Sequence, residues 1–257
     1  MHVKELFDLT GKTAIVTGGG RGLGEQIALG LAEAGANVVV CSRKLDACLE
    51  VSEELKKLGV NTLAIKCDIT NPDDIRNVVE ETVNHFGRID VLVNNSGASW
   101  GAPVEEMPLE AWQKVFDVNI TGTFLMSQAV GKVMLAQKSG KIINIASVAG
   151  LRGSHPKFMN AIGYNSSKGA VITFTKDLAA KWGPQGIYVN AIAPGFFPTK
   201  MSKILIEQGK DHLLESTPLR KFGSDTDLKG VALFLASAAS DFITGEVVVV
   251  DGGSSSM

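Results

Sequence analysis

Two hydrophobic periods alternate along the chain. Short apolar runs rich in β-branched residues fall at 13–17 (TAIVT), 37–41 (NVVVC), 63–67, 91–94 (VLVN), 141–145 (KIINI), 188–193 and 247–250. They are mostly non-alternating, as expected of strands buried on both faces. Between them, 25–34, 45–58, 72–86, 109–137, 164–182 and 225–236 carry the longer helical period. Asn71-Pro72 sets a cap before a first-turn proline, and Gly35, Gly59 and Gly87 stand where helices should stop. The repeated β-α order predicts an α/β fold, a parallel sheet doubly wound with helices on both faces. No repeat, low-complexity tract or linker interrupts it, so residues 1–257 read as one domain. The least regular stretch, 196–219, lies between a strand and a helix, where a substrate flap would hang.

Composition narrows the function classes. Lys+Arg 25 against Asp+Glu 27 gives a net charge of −2, which leaves no global basic field for a nucleic-acid backbone. No run reaches the ~18 apolar residues of a membrane span, and the N-terminus has no apolar leader core, so a cytoplasmic protein is expected. Cys41, Cys48 and Cys67 are odd in number and lack C-x-x-C spacing, which indicates reduced thiols and neither a disulfide framework nor a metal site.

Of 28 glycines, five cluster in Thr17-Gly18-Gly19-Gly20-Arg21-Gly22-Leu23-Gly24, between the first strand and the first long helix. Such a turn brings backbone N–H groups to a pyrophosphate at a helix N-terminus, because no Cβ blocks the approach; tight strand-to-helix packing is the alternative. The G-x-G-x-x-G spacing fails at Leu23, and a P-loop fails because Glu25 stands where a lysine is needed. What fits is G-x-x-x-G-x-G at Gly18, Gly22 and Gly24.

This T-G-x-x-x-G-x-G turn resembles the cofactor loop of the short-chain dehydrogenase/reductase family, and the resemblance continues nearly end to end. Asn94-Asn95-Ser96-Gly97 is similar to the N-N-A-G element with serine for alanine. Asn119 in its D-V-N context, Ser147, and Tyr164 with Lys168 match the active-site Asn, Ser and Y-x-x-x-K. Pro194-Gly195 and Asp251-Gly252-Gly253 match the later P-G and D-G-G elements. The resemblance implies a Rossmann fold, a nicotinamide dinucleotide cofactor held by Gly18, Gly20, Arg21, Gly22, Leu23 and Gly24, by Asn95, Ser96 and Gly97, and by Tyr164, Lys168, Pro194, Gly195 and Phe197. Asp68-Ile69 resembles the adenine-contacting pair, although an aspartate there also suits a turn cap. Thr199 is placed, by the same resemblance, at the nicotinamide carboxamide.

Charge bears on the choice of cofactor. An NAD site wants a carboxylate at the end of the second strand for the ribose 2′-OH, and a 2′-phosphate wants cations there. Here that strand runs into Cys41-Ser42-Arg43, with no acid before Asp46. Arg43 and Arg21 could grip a phosphate from two sides, so NADP is expected over NAD; both arginines as solvated surface groups is the bland alternative.

Tyr164 and Lys168 are four apart in a helical segment and so share a face. An ammonium beside a phenol favours phenolate, and this predicts a lowered tyrosine pKa and proton exchange with a carbonyl or carbinol oxygen during hydride transfer. The only other tyrosine, Tyr188, has Ile192 four residues on. Ser147 is expected to orient the substrate oxygen, and Asn119 is given by the resemblance a water-mediated link to Lys168. Tyr164 follows Ser147 by 17 positions, a longer spacing than is common in the family, and the extra length falls in 150–162. His155 there is assigned no role.

Ser99, Trp100, the long loop, Phe196, Phe197 and Met201 are expected at the substrate mouth, a carbon-rich lining for a ketone. Arg152, Lys157, Lys200 and Lys203 would add a basic rim for an anionic substrate. Both 3-oxoacyl-thioester reductases and gluconate 5-dehydrogenase-like members are resembled. A non-catalytic dinucleotide sensor is the alternative of another class, and its expected signature, loss of the tyrosine or lysine, is not seen. The segments 109–137 and 164–182 resemble the family's four-helix dimer interface and 247–250 its strand-mediated one, which together imply a homotetramer.

Overall fold

The computed structural model describes residues 2–154, 159–200 and 202–256, so His155, Lys157 and Met201 lie outside the described residues. Seven parallel strands, β1 (Thr13–Thr17), β2 (Asn37–Ser42), β3 (Thr62–Lys66), β4 (Val91–Asn94), β5 (Gly140–Ile145), β6 (Ile187–Pro194) and β7 (Val247–Val250), form one sheet in the order β3-β2-β1-β4-β5-β6-β7. Because the order reverses between β1 and β4, a crevice opens at their carboxyl ends, where this class of sheet binds ligands.

The helices are α1 (Val3–Leu6), α2 (Gly22–Glu33), α3 (Leu45–Lys57), α4 (Pro72–Phe86), α5 (Leu109–Phe116), α6 (Gly122–Gln137), α7 (Ile162–Trp182), α8 (Lys203–Glu215) and α9 (Lys229–Ala236). Period-2 alternation splits each strand between two apolar layers. Ala14, Val16, Val38 and Val40 face the layer holding Ile27 and Leu31 of α2 and Leu235 of α9. Ile15, Val39, Leu92 and Ile142 face Val78 of α4, Met126 of α6 and Leu178 of α7. Each fully buried Val, Leu, Ile or Met among them contributes about 1.5–3 kcal/mol, so the centre of the sheet anchors the fold. Asn71 caps α4 by accepting from Asp73 N at 2.9 Å, and Gly87 ends it in the left-handed region (φ 74°).

Three expectations are corrected. The helix expected over 109–137 is divided: α5 and α6 flank a π-turn at Asp117–Thr121, where one residue beyond the α-helical count is accommodated. The irregular segment 196–219 contains a thirteen-residue helix, α8, kinked at Gly209. The last predicted helix begins at Lys229, because Asp227 accepts from Ser224 N at 2.8 Å and holds a turn ahead of it. All three cysteines are buried free thiols.

Candidate active site

The turn after β1 is built around glycine geometry. Gly18 and Gly22 have φ of +63° and +59°, and a Cβ on Gly24 would lie 2.5 Å from the Gly18 carbonyl oxygen. Asn95 fastens this turn to the end of β4: its Nδ2 donates to the carbonyls of Thr17 (2.9 Å) and Gly18 (3.2 Å). Thr17, the buried first residue of the motif, to which the sequence assigns no role, accepts from the backbone N–H groups of Asn95 and Ser96, both at 3.0 Å. Its signal in the sequence is a polar residue ending an otherwise apolar strand. Gly20 packs on Ala47 of α3 and Leu23 on the core, while Arg21 is exposed at the N-terminus of α2. Across the crevice, Thr199 Cγ2 lies 3.6 Å from where a Cβ on Gly22 would stand.

A cleft of about 600 Å³ opens past the ends of β2 and β3 against α5 and the π-turn, lined by Arg43, Asp68, Thr70, Lys114, Asp117 and Val118 among others. Burial pushes the Asp68 carboxyl up, but the Thr70 N–H (3.0 Å) and hydroxyl (2.8 Å) and the charge of Arg43 outweigh it and hold the group below its ordinary value. Asp68 is therefore also the turn cap. Ile69 packs against Gly122 of α6, and the Ser42 hydroxyl is engaged by its own loop, donating to the Lys44 carbonyl at 3.0 Å.

Tyr164, Lys168, Ser147 and Asn119 converge at the ends of β4 and β5. Lys168, 4% exposed, donates from Nζ to the Ile145 carbonyl at 2.6 Å and lies 5.7 Å from the Tyr164 ring centroid. Burial drives its pKa down from 10.5 to about 8. The lowering expected for Tyr164 is not found: burial pushes the phenol up, and a hydrogen bond with Ser147 only partly opposes it. Lys168 Nζ donates to Ile145 and lies over the face of the ring, and its charge is not among the causes of the Tyr164 shift. Ser147 also caps the turn Val148–Gly150, accepting from Ala149 N at 3.2 Å, so the cap and orienting roles coexist. A Cβ on Gly97 would stand 3.5 Å from Asn119 Oδ1 and 3.8 Å from Lys168 Nζ, so the loop after β4 runs directly alongside both side chains.

Asn119 sits in the π-turn, 1% exposed, with its amide fully engaged. Oδ1 accepts from Ala98 N (2.7 Å), and Nδ2 donates to Ala98 O (2.9 Å) and Ser167 Oγ (2.8 Å). Beneath it a buried polar chain joins four elements: Asn94 Nδ2 donates to Ser127 Oγ and Asn144 Oδ1, and Asn144 Nδ2 donates to Thr175 Oγ1, each at 2.9 Å.

On the substrate side Ser99 and Trp100 are exposed and Phe196 is half-buried. Phe197 departs from expectation. It is 5% exposed, with its ring over Gly223, so only its backbone can face a ligand. Gly195 abuts Asp251, whose carboxylate accepts from Gly253 N (2.8 Å) and Ser255 N (2.7 Å); the P-G and D-G-G elements are thus one packed unit behind β6 and β7. The loop after Gly150 is joined to the Trp100 loop by Ala102 N donating to the Asn160 carbonyl at 2.8 Å. Arg152, Lys200 and Lys203 are exposed. Tyr188 is remote in function, its ring lying 4.5 Å under Lys141 Nζ.

A glycine cradle at the switch point of a parallel sheet, a cleft past the ends of β2 and β3, and a Tyr-Lys-Ser group where α7 meets the end of β5 define a nicotinamide dinucleotide-dependent oxidoreductase acting on CH–OH and C=O groups. The chain belongs to the short-chain dehydrogenase/reductase family, and residues 18–255 match the family described as enoyl-(acyl carrier protein) reductase. It is 41% identical over 243 residues, 94% of this chain and 98% of the relative, to 3-oxoacyl-[acyl-carrier-protein] reductase FabG of Staphylococcus epidermidis. It is equally 41% identical over 254 residues, 97% and 98% of the two chains, to 2-dehydro-3-deoxy-D-gluconate 5-dehydrogenase of Pseudoalteromonas atlantica. Among solved structures, a gluconate 5-dehydrogenase from Burkholderia cenocepacia in complex with NADP and tartrate superposes with a TM-score of 0.94 at 36% identity, covering 100% of both chains. Among the described residues no helix is long and apolar enough to cross a membrane, and no His/Cys/Asp/Glu group could hold a metal ion.

Proposed function

We propose that this protein is an NADP-dependent ketoreductase that uses Tyr164 as its proton donor, with a 3-oxoacyl thioester as substrate. The observation that carries the chemistry is the grouping of a half-buried phenol, a buried ammonium and a serine hydroxyl beside the glycine cradle. The cradle, with no side chain at Gly97 between the loop after β4 and Lys168, suits a dinucleotide, which when bound would supply the hydride. Gly18, Gly20, Arg21, Gly22, Leu23 and Gly24 would hold its pyrophosphate, Ser42, Arg43, Asp68 and Ile69 its adenosine half, and Asn95, Ser96, Gly97, Pro194, Gly195, the Phe197 backbone and Thr199 its nicotinamide half.

Ser147 orients the substrate oxygen toward Tyr164. Because burial raises the phenol, Tyr164 enters protonated at neutral pH and gives its proton to the oxygen as negative charge develops there. Lys168 and Ser147 then stabilise the phenolate. Arg43, just past the end of β2 and followed by no acid before Asp46, favours a 2′-phosphate, and Asp68 faces it across the cleft. Residues 196–219, with α8, form the flap over the substrate, and Trp100 and Phe196 its apolar contacts. Residues 1–257 act as one domain in the cytoplasm. Two apolar faces left open, around Phe124 of α6 (45% exposed) and around Val249 of β7 (40%), suit a homotetramer with two isologous contacts.

The exposed cations Arg152, Lys200 and Lys203 favour a second reading, a sugar-acid dehydrogenase like the gluconate relatives. NADPH and NADH consumption with acetoacetyl thioesters, 5-ketogluconate and small diketones ranks the two. Tyr164→Phe should cost at least ~100-fold in turnover; near-normal turnover would end the proposed chemistry, and a lower Km for NADH would end the cofactor assignment.

A further inference from the structure

Ser167 is fully buried in the first turns of α7 and makes two side-chain hydrogen bonds. Its Oγ donates to the Tyr164 carbonyl at 2.8 Å and accepts from Asn119 Nδ2 at 2.8 Å. The other three bonding directions of interest at Asn119 lead elsewhere: its Oδ1 and Nδ2 grip both backbone groups of Ala98, and its own carbonyl accepts from Thr123 Oγ1 at 2.9 Å. Asn119 is thus a bracket with two ends. One end holds the loop after β4, immediately beyond Gly97; the other reaches the turn that carries Tyr164, and reaches it only through the Ser167 hydroxyl.

We propose that Ser167 is a positioning residue, which acts through Asn119 to fix the distance between the Ser96–Ala98 loop and the Tyr164 turn. Building on the Tyr164 chemistry above, this assigns the serine a task in the reaction, although it touches neither substrate nor cofactor. Without the hydroxyl, one Asn119 N–H is stranded in a buried site, and such a donor seeks another partner rather than stay unpaired. The Asn119 side chain then turns away from α7, while the helix itself keeps its backbone ladder. Sub-ångström looseness between the loop and the tyrosine lowers turnover without removing any contact made by the bound dinucleotide.

The test is a double-mutant cycle on the full-length protein with Ser167→Ala, Asn119→Ala and the pair, with Tyr164→Phe alongside. Steady-state kinetics use NADPH and the ketone that wild type reduces fastest; the NADPH Kd is read separately from nucleotide fluorescence, and Tm from calorimetry. Ser167→Ala should lower kcat about tenfold to a hundredfold with the NADPH Kd within about twofold. In the Asn119→Ala background the same change should cost nothing further, because the serine acts through that residue. Losses that multiply, or a Ser167→Ala kcat within twofold of wild type, would overturn the assignment. Should Asn119→Ala not fold, a Ser167→Ala loss shared equally between kcat and Kd overturns it too. If Tyr164→Phe retains turnover, the proton-donor chemistry fails instead, and this outcome is distinct from the others.

Discussion

Lys168 offers the sharpest quantitative expectation. Its ammonium is buried, Nζ donates to the Ile145 carbonyl, and its pKa falls from 10.5 to about 8. At ~1.36 kcal/mol per pH unit, holding that charge in the folded protein costs about 3 kcal/mol at neutral pH. Between these two values the unfolded chain carries a proton on the lysine that the folded chain does not, so stability rises with pH there. Lys168→Met keeps the alkyl stem and removes the charge. Relief of about 3 kcal/mol is set against about 1–3 kcal/mol for stripping the Ile145 carbonyl of its donor. The variant should therefore be at least as stable as wild type at pH 7. Its advantage should shrink by about 2 kcal/mol between pH 8 and 9.5, or roughly 4–8 °C in Tm for a chain of this size. Calorimetry of both proteins, without nucleotide and at one protein concentration, measures the gap. A gap that is flat or widens as pH rises would refute the burial argument.

Two other perturbations separate backbone packing from polar bonding. A Cβ on Gly150 would lie 2.5 Å from the Lys168 carbonyl carbon and 2.7 Å from Gly169 N, so Gly150→Ala should push the Ser147 turn off α7. The cost should be about 1–3 kcal/mol in urea unfolding and on the order of 100-fold in kcat. Gly169→Ala meets only the Gly150 carbonyl oxygen at 3.4 Å and should be neutral or stabilise α7 by up to ~1 kcal/mol. Asn144→Ala strands an Asn94 N–H in the core and should destabilise by about 2–4 kcal/mol in the same measurement.

The sheet was legible because parallel strands buried on both faces leave uninterrupted apolar runs, and β1, β4 and β7 fall where those runs do. The turn at Gly18 and Gly22 and the meeting of Tyr164 with Lys168 were legible because positive φ favours glycine and side chains four apart share a helix face. What sequence spacing hid is set by tertiary context. The direction of the Tyr164 shift depends on burial and on where Lys168 Nζ points, and neither follows from a spacing of four. Phe197 has the composition of a pocket residue, but a glycine at 223 opens a place for its ring in the core. Helix α8 escaped notice because Gly209 interrupts its pattern. The π-turn has no composition of its own, and Thr17 and Ser167 gain their importance only from partners far along the chain.

The π-turn at Asp117–Thr121 makes the segment from α5 to α6 sensitive to residue number as much as to residue type. Each residue of an α-helix turns the chain by about 100°, so deleting one between Leu109 and Gly122 would restore regular helix and swing everything on one side by that angle. Asn119 would leave Ala98, or Met126 would leave the core, with every side chain still of the right kind. In surface loops the chain can gain or lose a residue cheaply; here the count itself is a constraint, and relatives that keep the bracket must keep the count.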